Sequence, residues 1–163
     1  MGRGVASYRR VVHPLGMAFT VRTILAAVDF SETSDHALEV ALDLAKTLGA
    51  TLHVAHVYQI PVYGFPDGAF LAGPEVATRL AQASQRGLDE LVARYADRGV
   101  AIVSHLREGP AHDGILEVAE EVHADVLVLG THGRGAIAHA LLGSVSEKVV
   151  RTSKTPVLTV RKA

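Results

Sequence analysis

Two uninterrupted aliphatic runs, Ile24-Leu25-Ala26-Ala27-Val28 and Val126-Leu127-Val128-Leu129, constrain the fold more than any other feature. A strand with one wet face alternates apolar and polar residues. A run without alternation suits a strand buried on both faces, as in a parallel sheet covered by helices on its two sides. The residues after the first run read as a helix. Ser31, Thr33 and Ser34 offer side-chain oxygens to cap it. Ala37, Val40, Ala41, Leu44, Ala45 and Leu48 then recur at helical spacing, and Gly49 ends the element. Thr51-Leu52-His53-Val54-Ala55-His56-Val57 follows as a second strand, which completes one β-α-β unit.

The same alternation continues to the end of the chain. Tyr58 to Pro74 holds Pro61, Gly64, Pro66, Gly68, Gly73 and Pro74, which excludes a regular helix or a central strand. A loop of this length in a compact domain is usually functional or disordered. A helix is expected from Glu75 to Asp97, with Leu80, Leu88, Leu91 and Val92 inward, then a strand at Val100–Val103. Ile115–Val122 reads as a helix, Asp125–Leu129 as a strand, Val145–Thr152 as the last helix and Pro156–Val160 as the last strand. Five strands alternating with four helices give an α/β fold, a doubly wound five-stranded parallel sheet with helices on both faces. Ligands of such sheets sit outside the carboxyl ends of the strands at the switch point, and both Asp29 and Gly130 stand at strand ends.

Composition narrows the function classes. At 163 residues, 48% hydrophobic and 20% charged, the chain has material for one domain with an aliphatic core. A net charge of −1 and the lack of a Lys/Arg block argue against nucleic acid as partner. No apolar run approaches the ~20 residues of a membrane span. The absence of cysteine excludes disulfides, thiolate catalysis and Cys-based zinc sites, and fits a cytoplasmic protein. Arg3, Arg9, Arg10 and Arg22 precede the first acid, Asp29. Such a basic start is shared by transit peptides, but it has no apolar core and little amphipathic period. Residues 1–19 are therefore expected to be a disordered extension, or the product of a start upstream of Met17, and 20–163 a single domain.

The segment Gly130-Thr131-His132-Gly133-Arg134-Gly135, followed by Gly143-Ser144, places glycines directly after a buried strand. Glycine allows close backbone approach to an anion, and a following helix N-terminus adds unpaired donors. Walker A chemistry is excluded, since no Gly-Lys-Ser/Thr occurs. Gly133-Arg134-Gly135 with Ala138 fits a dinucleotide fingerprint on paper. However, no acid remains beyond Glu147 to hold a ribose, and no second half remains for a nicotinamide.

The spacing G-x2-G-x9-G-[ST], here Gly130, Gly133, Gly143 and Ser144, resembles the ATP-binding signature of the universal stress protein family. Ile24 to Ser34 is similar to that family's first strand and turn, and Leu52–Val57 to its second strand. Gly143–Val150 and Thr155–Val160 are similar to its closing helix and strand, so the likeness covers about residue 20 to 163 in order. The resemblance implies ATP, with or without Mg²⁺, held by named residues. Asp29 would lie beside ribose and phosphates, and the backbone of Ala27 and Val28 would line the base pocket. Val57 would meet the adenine edge through its main chain. Gly130, Gly133 and Gly143 would give N–H groups to phosphates, Ser144 and Ser146 hydroxyls, and Val145 a further amide. Arg134 and His132 fall in the same segment and are candidates for phosphate contact. The resemblance also implies a homodimer through the last strand near Val157–Val160, and a regulatory role toward a protein partner not identifiable from sequence.

Each piece alone has an ordinary structural explanation: a strand-to-helix turn at Gly133 and Gly135, the start of a cap at Asp29, an N-cap at Ser144. Only the joint spacing points to a pocket. Two other readings stay open. One is a slow ATPase that autophosphorylates Ser144 or a neighbour, although Asp29 is the only carboxylate placed for metal or water and no lysine is placed to clamp phosphate. The other is a dimeric interaction module that takes AMP or cyclic AMP, or no nucleotide. Nine histidines form no metal-ligand spacing, and His53 and His56, three apart on a strand, point to opposite faces. No G-x-S-x-G elbow supports a hydrolase. Glu117, Glu120 and Glu121 read as a solvated helix face.

Overall fold

The computed structural model describes residues 20–65, 68–71, 73–131 and 142–161, with the backbone alone for 62–65 and 68–71. Among these described residues, seven strands and four α-helices run in the order β1 (Thr23–Val28), α1 (Glu32–Leu48), β2 (Thr51–Tyr58), β3 (Val62–Phe65), β4 (Gly68–Leu71), α2 (Pro74–Ala93), β5 (Ile102–Glu108), α3 (Ala111–Glu121), β6 (Val126–Gly130), α4 (Ser144–Thr152) and β7 (Val157–Val160). The main sheet is five-stranded and parallel, ordered β5-β2-β1-β6-β7. The expected doubly wound fold is the observed one.

The unalternating runs lie where double burial is needed. Ile24, Leu25, Leu127 and Val128 are fully buried at the sheet centre, between two separate cores. Helices α1 and α2 cover one face, packing Leu38, Ala41, Leu88 and Leu91 onto Ile24, Ala26, Leu52, Val54 and Val128. Helices α3 and α4 cover the other, packing Ile115, Val118 and Val149 onto Leu25, Ala55, Leu127 and Leu129. A residue and its neighbour in β1 thus serve opposite cores, as a two-residue side-chain period requires.

Several details differ from the sequence reading: α3 starts four residues earlier, at Ala111, and α2 ends at Ala93, short of Asp97. Along α1, Leu38 and Leu42 are buried while Leu48 is half exposed, because the helix turns its 34-37-38-41-42-45 stripe inward. The proline- and glycine-rich segment after β2 is not loop throughout. β3 and β4 pair there as an antiparallel ribbon separate from the main sheet. The third sheet strand begins later, at Ile102, and runs to Glu108; Val100 instead packs against the α1–α2 core. The edge strands are β5 and β7.

Candidate functional site

The chain winds outward from β1 to β2 and β5, then returns to the other side of β1 with β6 and β7. The direction reverses between β1 and β6, and their carboxyl ends, Val28-Asp29 and Gly130-Thr131, flank the resulting crevice. Ala27 pairs with Leu129 on one side and Ala55 on the other, and Ala27 and Val28 are buried.

Asp29 is held by the start of α1. The Ser31 amide and hydroxyl both donate to Asp29 Oδ1, at 3.1 and 2.6 Å. Ser31 is the N-cap and forms a reciprocal capping box with Ser34: Ser34 N–H donates to the Ser31 hydroxyl, and Ser31 N–H to the Ser34 hydroxyl. Of the serines that read as generic cap candidates, Ser31 thus also fixes the carboxylate, while the Ser34 hydroxyl accepts from the Asp29 N–H. Between them Phe30 takes a left-handed φ of 61°, and His56 on β2 places Nδ1 2.8 Å from the Val28 carbonyl oxygen.

Val57 follows His56, the last β2 residue paired with β1. Its main chain points to the β1 side: Thr51 N–H donates to Arg22 in that direction, while Tyr58 C=O accepts from Gly109 on the β5 side, and a parallel ladder alternates. The Val57 carbonyl therefore points toward the carboxyl end of β1, on the side of that strand away from β6. Its side chain packs under Gly114 of α3, where an added Cβ would lie 2.9 Å from Val57 Cγ1.

Gly130 serves close packing. A Cβ there would lie 2.9 Å from Thr33 Cγ2 and 3.1 Å from Thr33 O, so only glycine lets the first turn of α1 sit on the end of β6. Its carbonyl accepts from the buried Ser146 hydroxyl at 2.7 Å. Thr131 N–H donates to Val160 O, and Thr131 O accepts from Gly143 N–H. The cap of α4 is Gly143, with no side-chain hydrogen bond, and Ser144 is the first helical residue rather than the cap. Glu147 N–H closes the first turn onto Gly143 O. The N–H groups of Ser144 and Val145 belong to the turn whose donors have no partner within the helix. The structure thus brings Ala27, Val28, Asp29, Val57, Gly130, Gly143, Ser144, Val145 and Ser146 to one end of the sheet. Gly133, Arg134 and His132 lie outside the described residues.

Thr33, Phe30, His56 and Gly114 shape this end of the sheet, and sequence reasoning gave none of them a role at the site. The only signal was their placement next to Asp29, Val57 and the strand ends. His53 and His56 do point to opposite faces. His53 Nδ1 lies 2.8 Å from His105 Nε2 on β5, away from the crevice. Burial pushes both below the usual histidine range, and the neighbouring His53 and Arg107 add to the shift of His105. Among the described residues no group of three or more His, Asp or Glu forms a metal cluster, and no helix is long and apolar enough to cross a membrane.

The model of the universal stress protein family matches residues 20–161. The chain is 32% identical over 143 residues to universal stress protein MJ0531 of Methanocaldococcus jannaschii, covering 86% of this chain and 82% of that one. Among solved structures, hypothetical protein MJ0577 superposes with a TM-score of 0.74 at 23% identity, covering 88% and 98% of the two chains, a likeness of fold. A universal stress protein solved in complex with cAMP superposes with a TM-score of 0.65 at 30% identity, covering 88% and 99%. This chain, with its parallel sheet, its β1–β6 switch point and its glycine-bounded helix start, belongs to the universal stress protein family.

Proposed function

We propose that this protein binds ATP or a related adenine nucleotide at the β1–β6 crevice and acts as a regulatory module of the stress response. The observation that carries the reading is the junction of α4 with β6. Gly143 N–H and the Ser146 hydroxyl are spent on Thr131 O and Gly130 O. They aim the open first turn of α4 at the end of the strand beside Asp29. An open helix start offers neutral N–H donors and the positive end of a dipole, the chemistry an anionic phosphate takes. Ser144 N–H and hydroxyl and Val145 N–H are the donors in this assignment, Gly133 and Arg134 extend it, and Asp29 faces ribose or a phosphate-bound Mg²⁺. Val57 C=O and the Ala27-Val28 backbone receive the base. The relative solved with cAMP supports an adenine nucleotide as the ligand class.

Edge strand β7, with Leu158 exposed and Val157 half-buried, supports pairing with a second copy across a two-fold. A regulatory partner protein, a cytoplasmic setting and a domain confined to residues 20–163 belong to the same proposal.

Titration calorimetry with ATP, ADP, AMP and cyclic AMP, with and without Mg²⁺, tests the pocket in wild type and Gly143→Val. The branched side chain enters the space at the start of α4, so binding should be lost in the variant. A wild type that binds none of the four nucleotides refutes the proposal.

A further inference from the structure

Phe30 occupies the turn between Asp29 and Ser31 with a left-handed backbone, φ 61°. A bulky L side chain avoids this region because its Cβ crowds the following carbonyl, and such a conformation persists only where the surroundings over-determine it. Here they do so from two directions. The Phe30 ring centroid lies 4.2 Å from that of His56, tilted by 40°. From α2, Gly87 comes so close that an added Cβ would stand 3.2 Å from Phe30 Cζ. His56 is fixed in turn, buried and bonded through Nδ1 to the Val28 carbonyl. A carbonyl only accepts, so the proton of the imidazole sits on Nδ1. A continuous path of contact thus runs from Gly87 through Phe30 and His56 to the residue preceding Asp29.

We infer that Phe30 and His56 are positioning residues: they hold the Asp29 turn in its binding geometry before nucleotide arrives, and they couple α2 to the pocket through Gly87. The inference rests on the reading of the crevice as a nucleotide site. Neither side chain needs to touch the ligand. Their effect is on the fraction of molecules whose turn is competent, and the apparent dissociation constant rises in inverse proportion to that fraction. A turn that is competent a tenth of the time costs about tenfold in affinity.

The experiment pairs calorimetric titration of the full chain with ATP and cyclic AMP with amide hydrogen exchange in the absence of nucleotide. Phe30→Gly removes the ring and also the backbone strain, so stability is partly restored while positioning is lost. His56→Phe keeps a ring and removes the bond to Val28 O. Gly87→Ala pushes on the ring from α2, with a better helix former at that position. Each should weaken binding about tenfold and speed exchange of the Ser31 amide, which donates to Asp29 Oδ1 and to the Ser34 hydroxyl. Should Phe30→Gly fail to fold, Gly87→Ala carries the test. Wild-type binding with unchanged affinity and Ser31 exchange in the variants overturns the positioning role alone. Absence of binding by wild type overturns the pocket and, with it, this role.

Discussion

Helix α3 meets β2 at a contact tight enough to predict a coupled pair. An alanine Cβ at Gly114 would stand 2.9 and 3.0 Å from the two γ-carbons of Val57, against about 3.5–4.0 Å for relaxed carbon pairs. Val57 is β-branched and stiff at χ1, and both of its methyl groups face the glycine, so a small rotation exchanges one clash for the other. Overpacking of this kind costs about 1–3 kcal/mol. Gly114 is the fourth residue of α3, and alanine there regains about 1 kcal/mol of helix propensity. Gly114→Ala should therefore destabilise by roughly 0–2 kcal/mol, the difference of those two effects. Val57→Ala alone, at a half-buried position, should cost about 1 kcal/mol of lost burial. In the double variant the clash is gone while the propensity gain remains. The pair should be more stable than the sum of its singles by about 1–3 kcal/mol. Urea unfolding of the four proteins, with a constant denaturant slope, measures the cycle. Additivity within about 0.5 kcal/mol would show that α3 yields freely and that Gly114 is not a packing requirement.

The His53–His105 pair makes a prediction about acid. Both are held below their ordinary value of 6.5, first by burial, so above that pH they are neutral in either state. As pH falls through 6.5 the unfolded chain binds protons that the folded one refuses, and stability is lost down to the folded pKa. Thermal unfolding followed from pH 7.5 to 5 should show a flatter decline in a His53→Gln, His105→Gln double variant, and equal slopes would refute the linkage. Ser31→Ala removes the α1 cap and a ligand of Asp29, which should cost about 1 kcal/mol and lower Tm by about 2–4 °C, read by circular dichroism. An unchanged Tm would mean that Asp29 or water caps the helix equally well.

Particular residues show how far the chain could be read. Ile24–Val28 and Val126–Leu129 announced central parallel strands because double burial leaves no room for alternation. Gly49, expected to stop α1, does so with a left-handed φ of 65°. The proline-rich stretch concealed the β3–β4 ribbon, since a short antiparallel pair outside the main sheet needs no buried run of its own. Leu48 misled because helical spacing defines a stripe only to within about a residue, and the neighbouring sheet selects which edge is covered. At the site, Asp29, Gly130 and Gly143 were visible as residue types at strand and helix boundaries. The tasks of two of them were not: Gly130 makes room for Thr33, and Gly143 donates to Thr131 O.

The sequence by itself determined the order of the five main-sheet strands and the four helices, the parallel sheet and the likeness to the family, because these follow from local periodicity and from motif spacing along the chain. Only the tertiary structure decided that Gly130 answers to Thr33, Gly114 to Val57 and Phe30 to both His56 and Gly87. Those demands come from residues between 26 and 97 positions apart, brought within van der Waals contact by packing that no local pattern encodes.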